Sequence, residues 1–250
     1  VPLLQMMVIY DTDVSAWNLQ KENAQMGYQY ILFDLDGTLT DPATGITNSI
    51  MYSLNKYGIK VNDRSELYSF IGPPLQKSFE KFYGFSEEEA KKAVEYYREY
   101  YRDKGIFENK VYDGIRELLQ LLKERKRTII LATSKPEIYA KQILEHFQLS
   151  SYFDFIAGSE LDGRRVNKDE VICYALNGCN IYDLSKVIMI GDREYDVFGA
   201  HKQGIKSIGI LYGYGDRNEL ENAGADYILE TVADLINFFL NDTPLPSEEV

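Results

Sequence analysis

Short apolar runs alternate with amphipathic segments along most of the chain after residue 28. The runs have the length and residue content of buried strands, and the segments between them carry apolar residues at helical spacing. Strands that alternate with helices in this way are typical of a parallel α/β sheet. The predicted strands cover residues 30–33, 128–132, 153–157, 187–190, 207–211 and 227–229.

Two of the amphipathic segments, YDGIRELLQLLKERK and PEIYAKQILEHF, show the helical period most clearly. We expect helices there that cover the sheet with one apolar face each. The residues assigned to these faces are Ile115, Leu118, Leu119 and Leu122 in the first segment, and Ile138, Ile143, Leu144 and Phe147 in the second.

The stretch between residues 43 and 110 carries helical signals only, so it interrupts the alternation. Its clearest helix begins at Ser86, with Glu89 placed to complete a capping box. The tyrosines on this helix, including Tyr97 and Tyr101, are interpreted as packing residues without a catalytic role. The predicted fold class is α/β, with a Rossmann-like parallel-sheet core and an inserted all-helical domain. The predicted divisions are an N-terminal appendage of unknown role (1–27), the core (28–42 and 111–242), the helical insertion (43–110) and a C-terminal tail (243–250).

Within the insertion, the segment FIGPPLQ predicts a rigid turn between helices, because Gly72, Pro73 and Pro74 restrict the backbone. A turn in an inserted domain can reach over the ligand-binding edge of the sheet. Gly72 and Pro73 are therefore the predicted specificity residues of the insertion.

Charge and composition exclude several classes of protein. Lys and Arg total 27 against 39 Asp and Glu, and the net charge of −12 argues against a nucleic-acid partner. The apolar stretch at the N-terminus is too short to span a bilayer and lacks the basic start of a signal peptide, so we expect no membrane partner and a cytoplasmic location. Cys173 and Cys179 lack the spacing of a redox or zinc motif and are interpreted as buried thiols. A monomer or weak dimer is the default expectation.

Polar residues follow three of the predicted strands and stand at the start of one helix, where an open α/β sheet binds its ligands. Three acidic groups after two separate strands make the hard oxygen site that Mg²⁺ prefers, and a hydroxyl and a lysine can hold phosphate oxygens. The sequence therefore predicts a site for Mg²⁺ and a small phosphorylated metabolite. Its members are Asp34, Asp36, Thr133, Ser134, Lys168, Asp192 and Asp196.

Each of these signals has a plainer explanation when it stands alone. An Asp-x-Asp pair is common in turns, GDREYD fits a turn with a helix cap, and Thr133 before Pro136 fits a helix start. Found together, in this order and each directly after a strand, they favour phosphoryl chemistry.

The segments FDLDGTLTD, ILATSK and VIMIGDREYD, together with Lys168, resemble in order the four motifs of the haloacid dehalogenase-like hydrolase superfamily. The insertion resembles its helical cap, and the match covers about residues 28–240. Within the superfamily, the chain looks most like phosphoglycolate phosphatases and bacterial 5′-nucleotidases. One departure is that Lys168 precedes Asp169, where the motif usually has proline, so Arg164 and Arg165 stay open as alternatives for the lysine.

The resemblance implies a role for each site residue. Asp34 would be the nucleophile that forms an aspartyl-phosphate, and Asp36 the general acid and then the general base, brought in by the turn at Gly37. Mg²⁺ would be held by Asp34, the Asp36 backbone carbonyl and Asp192. Supporting roles fall to Asp196, which would serve the metal or orient Lys168, and to Thr133, Ser134 and Lys168, which would bind the phosphate oxygens.

The predicted function is a Mg²⁺-dependent phosphatase acting on a small phosphate monoester: phosphoglycolate, a nucleoside 5′-monophosphate or a sugar phosphate. A dehalogenase would lack the second acid, so Asp36 argues against one. A phosphomutase would use the same core and stays open. A non-catalytic sensor of phosphorylated ligands is the weaker alternative, because such a protein would be expected to have lost one of the carboxylates.

Overall fold

The computed structural model describes residues 27–242, so nearly all of the predicted appendage and the whole predicted tail lie outside the described residues. A six-stranded sheet forms the centre, and every pairing in it is parallel. The strands of the described residues are β1 (Tyr30–Phe33), β2 (Thr40–Asp41), β3 (Lys110–Val111), β4 (Thr128–Pro136), β5 (Phe155–Ser159), β6 (Val187–Gly191), β7 (Lys206–Ile210) and β8 (Tyr227–Leu229). The order in the sheet is β5-β4-β1-β6-β7-β8.

Helices cover both faces of this sheet, which explains why its strands read as unbroken apolar runs. In β1, Ile31 and Phe33 pack into the core on one face, and Leu32 packs into the core on the other, between Ile130 and Met189 of the adjacent strands. The α-helices are α1 (Ala43–Asn55), α2 (Leu75–Tyr83), α3 (Glu87–Tyr101), α4 (Ile115–Glu124), α5 (Glu137–His146), α6 (Lys168–Gly178), α7 (Glu194–Lys202), α8 (Arg217–Ala223) and α9 (Val232–Asn241). Short 3₁₀ helices lie at Arg64–Phe70, Gly105–Phe107, Ser150–Tyr152 and Leu184–Lys186.

The chain between β2 and β3 contains α1, α2 and α3, with 3₁₀ turns and no strand among its described residues. Ser53 on α1 donates a hydrogen bond to the Ala93 carbonyl on α3, at 2.7 Å. The predicted capping box is present, since the Ser86 amide donates to Glu89 and the Glu89 amide to the Ser86 hydroxyl. The antiparallel pair β2–β3 joins the two ends of this insertion. Sequence reasoning missed that pair, because two-residue strands carry no recognisable period.

The prediction of a parallel α/β fold is confirmed, with local differences in position. The third predicted strand lies two residues further on, at Phe155–Ser159. The face assigned to α5 was wrong at Ile138, whose side chain is 51% exposed. The buried face of α5 is formed instead by Tyr139, Ala140, Ile143 and Leu144. Cys173 and Cys179 are free and partly exposed rather than buried.

Within residues 27–242, no helix combines the length and the apolar character needed to cross a membrane.

Candidate active site

The carboxyl ends of three adjacent strands bring the predicted residues together. β1 lies between β4 and β6, so Asp34, Thr133 and Asp192 emerge side by side, and all three are buried. A cavity of about 800 Å³ opens above them, between the sheet and the helical insertion. Its lining includes Asp34, Asp36, Gly72, Pro73, Tyr97, Tyr101, Thr133, Ser134 and Lys135.

Lys168, at the first position of α6, is buried and contacts residues from three parts of the site. Its ammonium lies 2.9 Å from Asp34 Oδ1 and 2.7 Å from Asp196 Oδ1, and it donates to the Ala132 carbonyl at 3.1 Å. Burial disfavours the charged ammonium, but the carboxylates of Asp196 and Asp34 outweigh it and raise the pKa of Lys168. The structure thus places a permanent cation beside the candidate nucleophile.

The two alternatives to Lys168 lie elsewhere. Arg164 pairs with Glu160 and Asp162 at the surface. Arg165 donates to the Gly158 carbonyl and pairs with Glu137. Neither arginine contacts the carboxylates at the strand ends, so the geometry favours Lys168 for the motif lysine.

Asp34, Asp192 and Asp196 form a compact acidic cluster, with one oxygen atom of each within 4.8 Å of the others. Burial raises the pKa of Asp192 well above its usual range, and repulsion from Asp196 and Asp34 adds to the effect. Gly37 permits the close packing: its φ is +83°, and a Cβ there would lie 2.2 Å from Asp192 Oδ2. These buried, crowded oxygens are the donor set that suits a hard divalent cation.

The balance of charges in the candidate site also indicates that a divalent cation would fit there. The candidate site holds four carboxylates, of Asp34, Asp36, Asp192 and Asp196, but two ammonium groups, of Lys135 and Lys168. Full ionisation would leave two negative charges without a counter-charge in a largely buried region, and burial, with repulsion among the carboxylates, accordingly raises the pKa of Asp36 and of Asp192. A divalent cation would offset these charges, so the residues present fit Mg²⁺.

Asp36 is held by Lys135, which follows Thr133 and Ser134 at the end of the second predicted strand but has no predicted role in the site. Lys135 Nζ lies 2.6 Å from Asp36 Oδ2 and donates to the Tyr101 hydroxyl, also at 2.6 Å. Asp36 Oδ1 is buried and has no hydrogen-bond partner among the described residues. Burial raises the pKa of Asp36, with Lys135 acting in the opposite direction.

The last part of β4 is irregular and contains Thr133, Ser134 and Lys135. Pairing with β5 breaks between Ala132 and Pro136, so these three residues leave the regular ladder. The Thr133 hydroxyl accepts a hydrogen bond from the Lys135 amide at 3.2 Å. Its own proton is then free to be donated into the cavity, as a phosphate ligand requires.

The loop after β7 also contributes to the site. The Tyr214 amide donates to Asp192 Oδ2 at 2.8 Å, and the Tyr214 hydroxyl donates to Asp41 in β2. The Tyr212 hydroxyl donates to the Thr38 carbonyl at 3.0 Å. This loop therefore fixes both Asp192 of the acidic cluster and the start of the insertion.

Arg193 connects the core to the predicted turn at Gly72. Its guanidinium donates to the Ile71 carbonyl and pairs with Glu219 at 2.7 Å. Gly72 has a φ of +104°, and a Cβ there would lie 3.0 Å from the Arg193 side chain. The turn thus lies over the cavity, in contact with the residue that follows Asp192.

Sequence reasoning missed four contributors, for different reasons. Lys135 stands directly after Thr133 and Ser134, and Tyr214 lies beyond a strand end, so the rule that found the other residues points to both. The prediction that Tyr101 is a packing residue describes its ring correctly. It does not include the Tyr101 hydroxyl, which accepts a hydrogen bond from Lys135. No pattern in the sequence predicts that the Arg193 side chain contacts the insertion.

Comparison with known proteins supports the resemblance carried by the motifs. A 5′-nucleotidase of Pseudomonas aeruginosa is 46% identical over 198 residues, covering 79% of this chain and 89% of that protein. The tyrosine-protein kinase PtkA of Mycobacterium bovis is 37% identical over 187 residues, covering 75% of this chain and 63% of PtkA.

A crystal structure described as a predicted phosphatase from Clostridium acetobutylicum superposes with a TM-score of 0.83 and 55% identity, covering 85% of this chain and 98% of the other. The family described as haloacid dehalogenase-like hydrolase matches residues 31–210. The predicted resemblance is confirmed, and the chain belongs to the haloacid dehalogenase-like hydrolase family.

Proposed function

We propose that this protein is a Mg²⁺-dependent phosphatase that hydrolyses a small phosphate monoester through an aspartyl-phosphate intermediate. The observation that carries the proposal is the arrangement of Asp34 and Asp36 at the floor of the cavity. Asp34 is held by a buried lysine, whereas Asp36 has one oxygen anchored and one free. A nucleophile and a proton donor side by side are the two groups that phosphoryl transfer through a carboxylate needs.

In the first step, a carboxylate oxygen of Asp34 forms a bond to phosphorus while the bond from phosphorus to the leaving-group oxygen breaks. Asp36 gives its proton to that oxygen, and the alcohol departs. In the second step, water attacks the phosphorus of the aspartyl-phosphate and Asp36 takes a proton from the water. Free phosphate leaves, and both carboxyl groups return to their starting states.

Thr133 and Ser134 line the cavity and would donate hydrogen bonds to the phosphate oxygens, whose charge persists through the transition state. Lys168 lies beside Asp34 and Asp196, where its ammonium would offset negative charge next to the nucleophile and would bind a phosphate oxygen. Asp34, Asp192 and the Asp36 backbone carbonyl would hold Mg²⁺, with Asp196 in support. When bound, Mg²⁺ supplies the positive charge that lets an anionic phosphate approach an anionic nucleophile.

The cavity volume of about 800 Å³ lies within the usual range for small-molecule sites and admits all three predicted substrate types. The name of the Pseudomonas relative favours a nucleoside 5′-monophosphate, with phosphoglycolate and sugar phosphates as the other candidates.

We also propose that residues 43–110 act as a cap, because their turn at Gly72 and Pro73 and their helix α3 line the cavity opposite the catalytic carboxylates.

The experiment is a screen of the purified protein with Mg²⁺ against nucleoside 5′-monophosphates, phosphoglycolate and sugar phosphates. We expect release of inorganic phosphate, with nucleoside 5′-monophosphates turned over fastest. A rearranged sugar phosphate without phosphate release would indicate a phosphomutase. Phosphoryl transfer from a nucleoside triphosphate to a tyrosine peptide, again without phosphatase activity, would indicate the activity in the name of PtkA. Either result would overturn the proposal.

A further inference from the structure

Three elements meet at one buried ammonium group. Asp36 follows β1, Lys135 lies near the end of β4, and Tyr101 is the last residue of α3 in the helical insertion. Lys135 Nζ lies 2.6 Å from both Asp36 Oδ2 and the Tyr101 hydroxyl. The side chain of Lys135 is 7% exposed, and Tyr101 is 2% exposed, so water does not take the place of these contacts.

The contact with Lys135 distinguishes the two oxygens of Asp36. Oδ2 is bound to the ammonium, whereas Oδ1 is buried without a hydrogen-bond partner among residues 27–242. A carboxyl group that hands a proton to a leaving group and later takes one from water needs one oxygen fixed and one oxygen free. Lys135 therefore determines which oxygen of Asp36 can exchange the proton.

Tyr101 makes the position of Lys135 depend on the insertion. Its ring packs in a stacked arrangement on Tyr97, with centroids 5.2 Å apart, and edge-on against Tyr139 of α5. The ammonium can keep both of its contacts only while α3 lies over the ends of the strands. If the insertion moved away, Lys135 would lose the tyrosine hydroxyl, and the position of Asp36 would be less restricted.

We propose that Lys135 is a positioning residue for Asp36, and that the Tyr101 hydroxyl couples this positioning to closure of the helical insertion. The inference rests on the proposed phosphatase function and adds that proton transfer is efficient only when the insertion covers the site. Lys135 does not touch the transferred phosphoryl group; it acts through Asp36.

The test compares two substrates whose leaving groups need protonation to different degrees. The p-nitrophenolate group departs with little help, whereas an alkoxide needs a proton from Asp36. In Lys135→Met and Tyr101→Phe, we expect kcat/KM for the best alkyl phosphate of the substrate panel to fall ~10–100-fold further than kcat/KM for p-nitrophenyl phosphate, because a misplaced Asp36 loses part of the ~10²–10⁴-fold contribution of general acid catalysis. The ratio kcat/KM is compared because it reports the step in which the leaving group departs and not the hydrolysis of the aspartyl-phosphate that both esters share.

Matched controls separate this effect from loss of packing. Tyr100→Phe removes a hydroxyl from the adjacent position of α3, where it donates to Glu108. Lys123→Met removes a lysine that pairs with Asp154 on the outside of the core. Both controls should keep the wild-type ratio of rates on the two esters, and thermal melts should show that all four variants are folded.

The outcomes are distinguishable. An equal loss of kcat/KM on both esters, or no loss, in folded Lys135→Met would overturn the positioning role. A wild-type ratio in Tyr101→Phe together with a changed ratio in Lys135→Met would overturn the coupling to the insertion. If the wild-type protein released phosphate from neither ester, the phosphatase proposal would fail and this inference with it.

Discussion

Lys168 Nζ lies 2.9 Å from Asp34 Oδ1, so the candidate nucleophile has one oxygen fixed by a buried cation. The same ammonium contacts Asp196 Oδ1 at 2.7 Å. Together with Lys135 on Asp36, these contacts account for the lysines of the site and leave Asp192 without a cationic partner among them. The charge that remains uncompensated is therefore concentrated where a metal ion would bind.

Removal of divalent cations should abolish phosphate release. We expect EDTA to stop turnover and added Mg²⁺ to restore it, because two negative charges in the site lack a counter-charge. Independently of activity, Mg²⁺ at 100 times its dissociation constant should stabilise the fold by about 2.7 kcal/mol. A thermal melt with and without Mg²⁺ measures this effect.

Asp192→Asn should lose the stabilisation by Mg²⁺. Asp154→Asn, which alters a carboxylate that pairs with Lys123 away from the cluster, should keep it. Turnover that persists undiminished in EDTA, or a wild-type response of Asp192→Asn to Mg²⁺, contradicts the assignment of the site.

Substitution of the two carboxylates that follow β1 should impair different steps of the reaction. Asp34→Asn removes the nucleophile, so we expect neither a phosphoryl-enzyme nor turnover. Asp36→Asn keeps the backbone carbonyl and should lose mainly proton transfer, ~10²–10⁴-fold with an alkyl phosphate. With p-nitrophenyl phosphate its first step should be partly spared, so that hydrolysis of the aspartyl-phosphate limits the rate.

Rapid quenching followed by peptide mapping would locate the phosphoryl group. A phosphoryl group found on a residue other than Asp34, or normal turnover by Asp34→Asn, would refute the covalent mechanism.

The sequence was sufficient to predict the fold and to select most residues of the candidate site, because both depend on local patterns that repeat at strand ends. Asp34, Thr133 and Asp192 each follow an apolar run, and a parallel sheet brings the ends of such runs together. Contacts made by long side chains across the cavity have no such pattern. The hydroxyl of Tyr101 and the guanidinium of Arg193 reach partners on other elements, and those partners become visible only once the insertion is folded over the sheet.

The β2–β3 pair and the exposed position of Ile138 were missed for another reason. A two-residue strand is stabilised by its neighbours rather than by its own composition. The predicted face of α5 included the apolar Ile138 and omitted Tyr139 and Ala140, whereas Tyr139, Ala140, Ile143 and Leu144 form the buried stripe. Ile138 lies about 100° from Tyr139 around the helix, outside this stripe.

Substitution of Gly72 should alter substrate preference beyond its effect on stability. Gly72→Ala places a Cβ 3.0 Å from Arg193 at a φ of +104°, so either the turn or the arginine must move. We expect a loss of about 1–3 kcal/mol in unfolding free energy, together with a raised KM or a changed ranking of alkyl phosphates. Release of phosphate from p-nitrophenyl phosphate should be largely spared, because the proposed mechanism assigns the chemistry to residues of the core.

Gly84→Ala is the matched control for this substitution. Gly84 also has a positive φ, +66°, and lies in the insertion at the end of α2, but a Cβ there would meet open space. It should therefore lose a comparable stability of about 1–2 kcal/mol without any change in the ranking of substrates. An unchanged ranking in folded Gly72→Ala would show that the turn only connects two helices.

The stability of the protein should fall in acid through Asp226, a carboxylate of the core remote from the catalytic cluster. Partial burial opposes its ionised form, but hydrogen bonds from Lys206, His201 and the Ser207 amide outweigh burial and lower its pKa from 3.8 to about 2. Because the pKa is lower in the folded state, this stabilisation is complete above about pH 4 and is lost as the pH falls towards 2. Its size is at most about 2 kcal/mol, since Lys206 is itself exposed to solvent.

Urea unfolding of wild-type protein and Asp226→Asn between pH 7 and pH 2 tests this linkage. We expect Asp226→Asn to be less stable than wild type at neutral pH and the difference to shrink below about pH 4, because protonation removes the same charge from the wild-type carboxylate. Asp103→Asn is the control: its partner Arg102 is an exposed neighbour, and such pairs contribute little to stability. A difference between Asp226→Asn and wild type that stayed constant down to pH 2 would mean that packing or hydrogen-bond geometry, rather than the charge of Asp226, stabilises this part of the sheet edge.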